Sequence, residues 1–307
     1  MYTPQPDHVV VLLPHAEVLN PPAWITDHFT VSPGGRHGDG KTENKLIVFQ
    51  DGTYIELIAF VNDDPAHREG HWWGDKGFGV IDYALTLAEG PEAFEELRRQ
   101  IHNLTDIPQG WKPGELKGGS RLLANGERVV WNVSFPEASS RGQAPFWCFD
   151  VTPRELRVPS LPEYTMHPCG AVGLGALNIH LEEQVQKTRR SFTQLLHKPD
   201  TRLTHFEELL DLFSVIIGHS STRDSQSFSW ELTTPRPVES ITQCQIRFGA
   251  AEREADKLAL ERKKPLVASI EIRVAEPITI DPREVVGHVQ HDEVLFTLKG
   301  CQPRREA

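Results

Sequence analysis

Three side chains near the start of the chain have types and settings suited to metal or acid–base chemistry. His8 stands in Asp7–Leu13, DHVVVLL. His37 closes the block Ser32-Pro33-Gly34-Gly35-Arg36-His37. Glu56 sits in Thr53–Phe60, TYIELIAF, a run that is otherwise almost wholly apolar. A carboxylate in a strand that reads as buried must be paired, protonated or bound to a metal ion, because an isolated buried charge is too costly. An imidazole with a carboxylate is a donor set for a borderline divalent ion, and the same pair can move a proton. Structural readings compete with these. His8 could bond to backbone at a strand end. Glu56 could pair with Arg36 or Lys45. The Gly-Gly block could be a tight turn with no function, since glycine tolerates left-handed backbone.

The elements that must position these groups are legible from patterning. Glu43–Phe49 and Thr53–Phe60 read as strands joined by Gln50-Asp51-Gly52, and Asp-Gly between apolar runs is a strong hairpin signal. Asp7–Leu13 reads as a preceding strand. Pro21 and Pro22 open a helix carrying Trp24 and Ile25, and Thr30–Ser32 leads, extended, into a turn at Gly34-Gly35. The order is strand, helix, strand, strand, strand. After a loop over Asn62–Gly77, which holds Trp72-Trp73, the order repeats. Gly79–Leu87 is a strand, and Pro91 starts a helix with Phe94, Leu97 and Ile101 on one face. Trp111–Leu123 is extended and turn-rich, and Arg128–Phe135 and Ala144–Val151 are strands. The fold class is therefore α+β, with residues 5–153 built from two repeated units, 7–60 and 79–153.

Residues 154–172 read as a Pro/Gly-rich connector, and 173–300 as a third, enlarged unit with an inserted helix. Its expected elements are a strand over Leu174–Leu181, a helix over Glu182–His197 and a helix capped at Thr204 and stopping at Gly218. Strands follow at Ser227–Thr234, Thr242–Phe248 and Leu266–Val274, with a charged helix or loop over Glu252–Lys264. Val294–Leu298 is strand-like, and 301–307 is a tail.

Composition narrows the function classes. A net charge of -11 with no basic stripe argues against nucleic acid. No run of about 18 apolar residues is present to span a membrane, and the N-terminus lacks the form of a secretory signal. Cys148, Cys169, Cys244 and Cys301 are widely spaced, and read as reduced thiols of a cytoplasmic protein.

Taken together, Asp7-His8-Val9-Val10, the Gly-Gly-Arg-His block, Asn44-Lys45-Leu46-Ile47, Tyr54-Ile55-Glu56-Leu57-Ile58, Pro145-Phe146-Trp147 and His167-Pro168-Cys169-Gly170-Ala171 resemble the glyoxalase-like proteins of the vicinal-oxygen-chelate superfamily. The resemblance covers about the first 170 residues. It implies strand-helix-three-strand (βαβββ) units paired into a curved, cup-like mixed sheet, with a divalent metal ion inside. Ligands would come from the first and last strands of each unit. His8 and Glu56 match that pattern as metal ligands. Glu56 and His37 would be catalytic, and Arg36, Asp82 and His167 would line the substrate site. Asp82 holds the matching place on unit two's first strand if Leu13 is aligned with Leu87, and a one-residue slip would offer Tyr83 instead. Unit two's last strand presents Cys148 or Phe149 where a ligand is expected, so His37 or His167 would complete the set from a loop. The implied activity is a lyase, isomerase or dioxygenase acting on a small oxygenated metabolite by bidentate oxygen chelation. The alternative is a metal-free small-molecule binder using the same cup. The third unit would close against the first two or, in a homodimer, against another subunit.

Overall fold

The computed structural model describes residues 2–181 apart from positions 106, 108, 124, 138–140 and 143, and then 212–217, 222–223, 228–238, 241–251, 253–263, 266–275, 283–289 and 292–300. The first unit supplies β1 (Pro4–Leu12), β2 (Ser32–Arg36), β3 (Thr42–Val48) and β4 (Tyr54–Phe60). The second supplies β5 (Gly79–Leu87), β6 (Lys117–Leu122), β7 (Arg128–Ser134) and β8 (Phe146–Asp150). They form one mixed sheet in the order β2-β3-β4-β1-β5-β8-β7-β6. β1 runs parallel to β4 and antiparallel to β5, which in turn runs parallel to β8. Central strands covered on both faces read as continuous apolar runs, and every residue of β4 is buried.

Strand alternation divides these runs between two compartments. Val9, Val11, Ile55 and Leu57 join the main core with the helix Pro91–Asn103, which buries Phe94, Leu97 and Ile101. Val10, Leu12, Ile58 and Phe60 face the other way, into a smaller cluster with Phe146 and Cys148. His8 and Glu56 share the phase of this second set, so both project into the cup.

Several local expectations are corrected. Gly34-Gly35 lies inside β2, which pairs with β3 through a bulge between Pro33 and Gly35. A Cβ on Gly34 would stand 2.2 Å from the Asn44 carbonyl oxygen, so close strand approach, not a turn, requires glycine there. The helix expected after Pro21-Pro22 is a single turn, Ala23–Thr26, preceded by another, His15–Leu19. Pro14 and Pro22 each stand just ahead of one of these turns, and neither side chain can accept a capping bond. At the hairpin, Gly52 takes φ 83°, and Asp51 Oδ1 accepts from the Thr53 N–H at 2.9 Å.

The C-terminal strands are β9 (Ala171–Leu181), β10 (Thr222–Arg223), β11 (Phe228–Val238), β12 (Ile241–Ala250), β13 (Leu266–Val274), β14 (Arg283–Val289) and β15 (Asp292–Gly300). They form a second sheet ordered β10-β11-β12-β9-β13-β15-β14. Its centre repeats the first: β9 parallel to β12, antiparallel to β13, and β13 parallel to β15. The enlarged C-terminal unit expected from the sequence is present, and its strand order repeats the paired centre of the first sheet. The strands missed were the two-residue β10 and the edge strand β14, which opens on exposed Arg283 and Glu284. A helix spans Glu254–Lys263. The helix expected over Glu182–His197 and the capping box at Thr204 lie outside the described residues. The two sheets share one core: Phe296 of β15 meets Phe29 at 5.5 Å and Trp24 at 5.9 Å between ring centroids.

Candidate active site

His8 pairs with Tyr54 across β1 and β4, and Glu56 with Val10. The two functional side chains are therefore diagonal neighbours on the cup face. His8 Nε2 stands 3.7 Å from Glu56 Oε2. His37, on the turn after β2, faces the other carboxylate oxygen, its Nε2 3.6 Å from Oε1. These groups lie in the wall of a cavity of about 220 Å³. Both units, and Trp72 and Trp73 of the intervening loop, contribute to it.

Each imidazole is oriented from behind. His8 Nδ1 lies 2.6 Å from Asp7 Oδ1, and its ring stacks on Tyr54 with centroids 4.5 Å apart. Asp7 is fully buried and also accepts from Arg157 at 2.9 Å and Arg154 at 2.8 Å. Burial alone would raise its pKa, but the two guanidiniums outweigh burial and hold it well below the usual carboxylate range. Asp7 is therefore an acceptor, so His8 Nδ1–H donates to it and Nε2 is the nitrogen that faces Glu56. His37 Nδ1 lies 2.6 Å from Thr42 Oγ1, and Asn44 Nδ2 is 3.2 Å from its Nε2. The same Asn44 amide donates to Glu56 Oε1 at 2.6 Å. Burial foremost, with Arg121 adding to it, lowers the pKa of His37 against the pull of Glu56. Its imidazole is therefore neutral near pH 7, with Nε2 an acceptor. The Gly-Gly block acts through Asn44: the Gly35 N–H donates to Asn44 Oδ1 at 3.0 Å. That fixes the amide so that its Nδ2 must face Glu56.

Unit two contributes differently. Asp82 lies two residues before Ala84, as His8 lies two before Val10. Ala84 pairs with Phe146 as Val10 pairs with Glu56. Phe146, and neither Cys148 nor Phe149, thus stands in the place corresponding to Glu56. Its ring meets His8 edge-on at 5.2 Å and stacks on Phe135 at 4.7 Å. Phe149 faces the core, against Phe94. Cys148 faces the cup, but burial pushes its thiol far up, so it stays protonated. Asp82 is closed off by Trp73, whose Nε1–H donates to Oδ2 at 2.8 Å, while the Tyr83 N–H donates to Oδ1 at 2.9 Å. Burial raises its pKa to about 7, against those two hydrogen bonds.

The structure brings His8, His37 and Glu56 together, and leaves Arg36, Asp82 and His167 outside the cavity wall. Arg36 is exposed. Lys45 donates to the Leu19 carbonyl at 2.6 Å rather than to Glu56. His167 is a core connector: the Thr30 N–H donates to Nδ1 and Nε2–H donates to the Val48 carbonyl, both at 3.1 Å. Burial lowers its pKa to about 4. Asn44, Thr42, Arg121 and Arg157 were not singled out as site residues by sequence reasoning. Asn44 had a usable signal, a polar residue in the strand adjoining Glu56, whereas Arg121 lies in a turn-rich stretch without pattern.

The donors fit a divalent ion in type. Asp7, His8 and Cys148 place ligand atoms within 4.8 Å of one another, but Asp7 is committed to two guanidiniums and Cys148 keeps its proton. The open donors are on the other side of His8. There Nε2 and Glu56 Oε2 face each other at 3.7 Å, beyond hydrogen-bond distance, and are a nitrogen and an oxygen of the types that ligate a divalent ion. A carboxylate behind a ligating imidazole is also the usual outer support of such a centre.

A family model described as a glyoxalase-like domain matches residues 7–196. Comparison with curated proteins finds no match. Among solved structures, a hypothetical protein from Staphylococcus aureus is similar with a TM-score of 0.59 at 11% identity, over 96% of this chain and 99% of that one. A mutant 4-hydroxymandelate synthase from Streptomyces coelicolor is similar with a TM-score of 0.51 at 7% identity, over 100% and 95% of the two chains. At such identities these likenesses speak for the fold. With the repeated units and the matched span, they establish that the chain belongs to the glyoxalase-like domain family and has the vicinal-oxygen-chelate fold.

Proposed function

We propose that the chain is an enzyme acting on a small oxygenated metabolite in the cup, with His8 Nε2 and Glu56 Oε2 holding a divalent ion and His37 serving as proton acceptor. The observation that carries this reading is the approach of His8 Nε2 to Glu56 Oε2 at 3.7 Å in the cavity wall, each side chain fixed by an independent partner. A bound divalent ion would supply Lewis acidity toward two neighbouring substrate oxygens. The chain's own residues do the rest. Asp7 and Asn44 keep His8 and Glu56 in place. His37, neutral and with its Nδ1 tied to Thr42, offers Nε2 to a substrate proton. Trp72 and Trp73 shield the cup from water. A proton acceptor beside a polarised oxygen suits isomerase or lyase chemistry, and a dioxygenase would use the same protein donors.

The test is the metal content of protein purified without chelator. Near-stoichiometric metal in the wild type, lost in both His8→Ala and Glu56→Ala, is the expected result. Metal retained by both variants would overturn the assignment. A second reading, a metal-free binder, is favoured by Phe146 in the place corresponding to Glu56. It predicts no metal in the wild type together with saturable binding of an apolar ligand.

A further inference from the structure

Resting on the reading of this cavity as the substrate site, we infer that the substrate is a small aromatic or flat apolar carboxylate, and that Arg121 receives its anionic group. Four guanidinium and carboxylate groups beside the cup balance one another: Arg154 and Arg157 pair with Asp7 and Asp150. Arg121 is different. It lines the cavity and is 3% exposed. Among the described residues, no carboxylate lies within ion-pair distance of it. Its contacts are neutral oxygens: Asn44 Oδ1 at 3.4 Å and the Arg157 carbonyl at 3.0 Å. Its Nε–H is buried with no acceptor. A buried guanidinium with an orphaned donor is costly unless an anion completes it. Guanidinium is also the group best shaped to take a carboxylate.

Glu56 does not fill that role. It makes no direct hydrogen bond or ion pair with Arg121, the Asn44 amide stands between them, and its other oxygen faces His8. A divalent ion on Glu56 would make the cup more positive still, and the demand for an anionic ligand stronger. The remaining wall sets the body of that ligand. Tyr54, Trp72, Trp73, Trp131, Phe135 and Phe146 present aromatic surface to the same space, which favours stacking of a flat ring. The two features together select a ring bearing a carboxylate over a sugar, an amine or a purely apolar compound.

Quenching of tryptophan fluorescence by phenylacetate, phenylacetamide and phenethylamine tests this on the full chain. These probes share a ring and differ in charge. The expected result is that phenylacetate binds at least about tenfold more tightly than phenylacetamide, the scale of one charge-assisted contact, and that phenethylamine binds most weakly. In Arg121→Gln the carboxylate and the amide should fall within about twofold of each other. Arg121→Lys, which keeps the charge, should retain part of the preference. Equal binding of the acid and the amide by the wild type would overturn the inference, whether or not any variant folds. So would the absence of saturable binding at millimolar phenylacetate, or a preference that survives in a folded Arg121→Gln. The same titration on His8→Ala separates this idea from the metal reading. A carboxylate preference that persists there while metal is lost isolates Arg121, and a lost preference with metal retained in the wild type defeats this inference alone.

Discussion

The two halves of the cup are built from the same strand order and do opposite things. In unit one the β1–β4 pair presents an imidazole and a carboxylate, each held by a second polar group. In unit two the β5–β8 pair presents Asp82 and Phe146 at the places corresponding to His8 and Glu56, and Asp82 is capped by Trp73. A duplicated fold supplies two potential donor sets related by symmetry. Here one copy carries the polar equipment, and the other carries shape and apolar surface. The charge environment follows the same division. Asp7 is held ionised by adjacent guanidiniums, whereas Asp82, with no such partner in contact, has its pKa raised by burial to about 7.

The largest effect expected from breaking this division is at Asp7. Asp7→Asn removes the anion that buried Arg157, half-buried Arg154 and His8 share, and leaving a buried charge unpaired costs about 3–5 kcal/mol. Urea denaturation should show that loss, and metal content should fall with it as His8 loses its support. A variant within about 1 kcal/mol of wild type would mean that Arg154 and Arg157 are satisfied by Asp150 and solvent. Unit two's acid should behave in the opposite sense. Asp82 is protonated up to about pH 7 when folded, against an ordinary 3.8. The folded chain therefore holds more protons between those values. The resulting stability is fully present below the ordinary value and is lost as pH rises through about 7, by up to roughly 4 kcal/mol. Asp82→Asn does not titrate. Its stability relative to wild type should therefore improve from pH 4 to about pH 7 and level off above that, starting from a fixed deficit because one carboxyl acceptor is gone. A pH-independent difference would remove Asp82 from the account.

Much of this was readable from residue order, and the losses have physical causes. His8 and Glu56 were legible because a polar residue in a buried alternating run must be explained. The hairpin was legible because Asp51-Gly52 has a specific backbone demand. Arg36 and His167 were over-read because composition does not reveal orientation: Arg36 points to solvent from an edge strand, and His167 spends both nitrogens joining Thr30 to Val48. Arg121 was invisible because a cation in a glycine-rich stretch usually signals an exposed loop. Only pairing of β6 with β7 carries it inward. Phe146 could be placed only by register, since the bulges in β1 and β5 shift the alignment by the one residue that decides which face a side chain takes.

Smaller perturbations separate shape from chemistry. Gly119 of β6 lies so close to Trp131 that a Cβ there would stand 2.4 Å from the indole Nε1. Gly119→Ala must move that ring, at an overpacking cost of about 1–3 kcal/mol. Affinity for aromatic carboxylates should fall several-fold while metal content stays at the wild-type level, because Trp131 touches the wall and not the donors. Equal loss of metal would show that the two functions are not separable.

Phe146→Leu is the mildest test and the most direct one of the division between the units. The substitution keeps the position apolar and shortens it, at about 1–2 kcal/mol on the scale of core truncations. It removes the edge contact with His8 and the stack on Phe135, so ring-bearing ligands should bind a few-fold more weakly. His8 keeps Asp7 and the stack on Tyr54, and Glu56 keeps Asn44, so the metal measured by elemental analysis should not change. If metal falls with Phe146→Leu, then the aromatic half is what positions His8, and unit two is part of the ligand field although it contributes no donor.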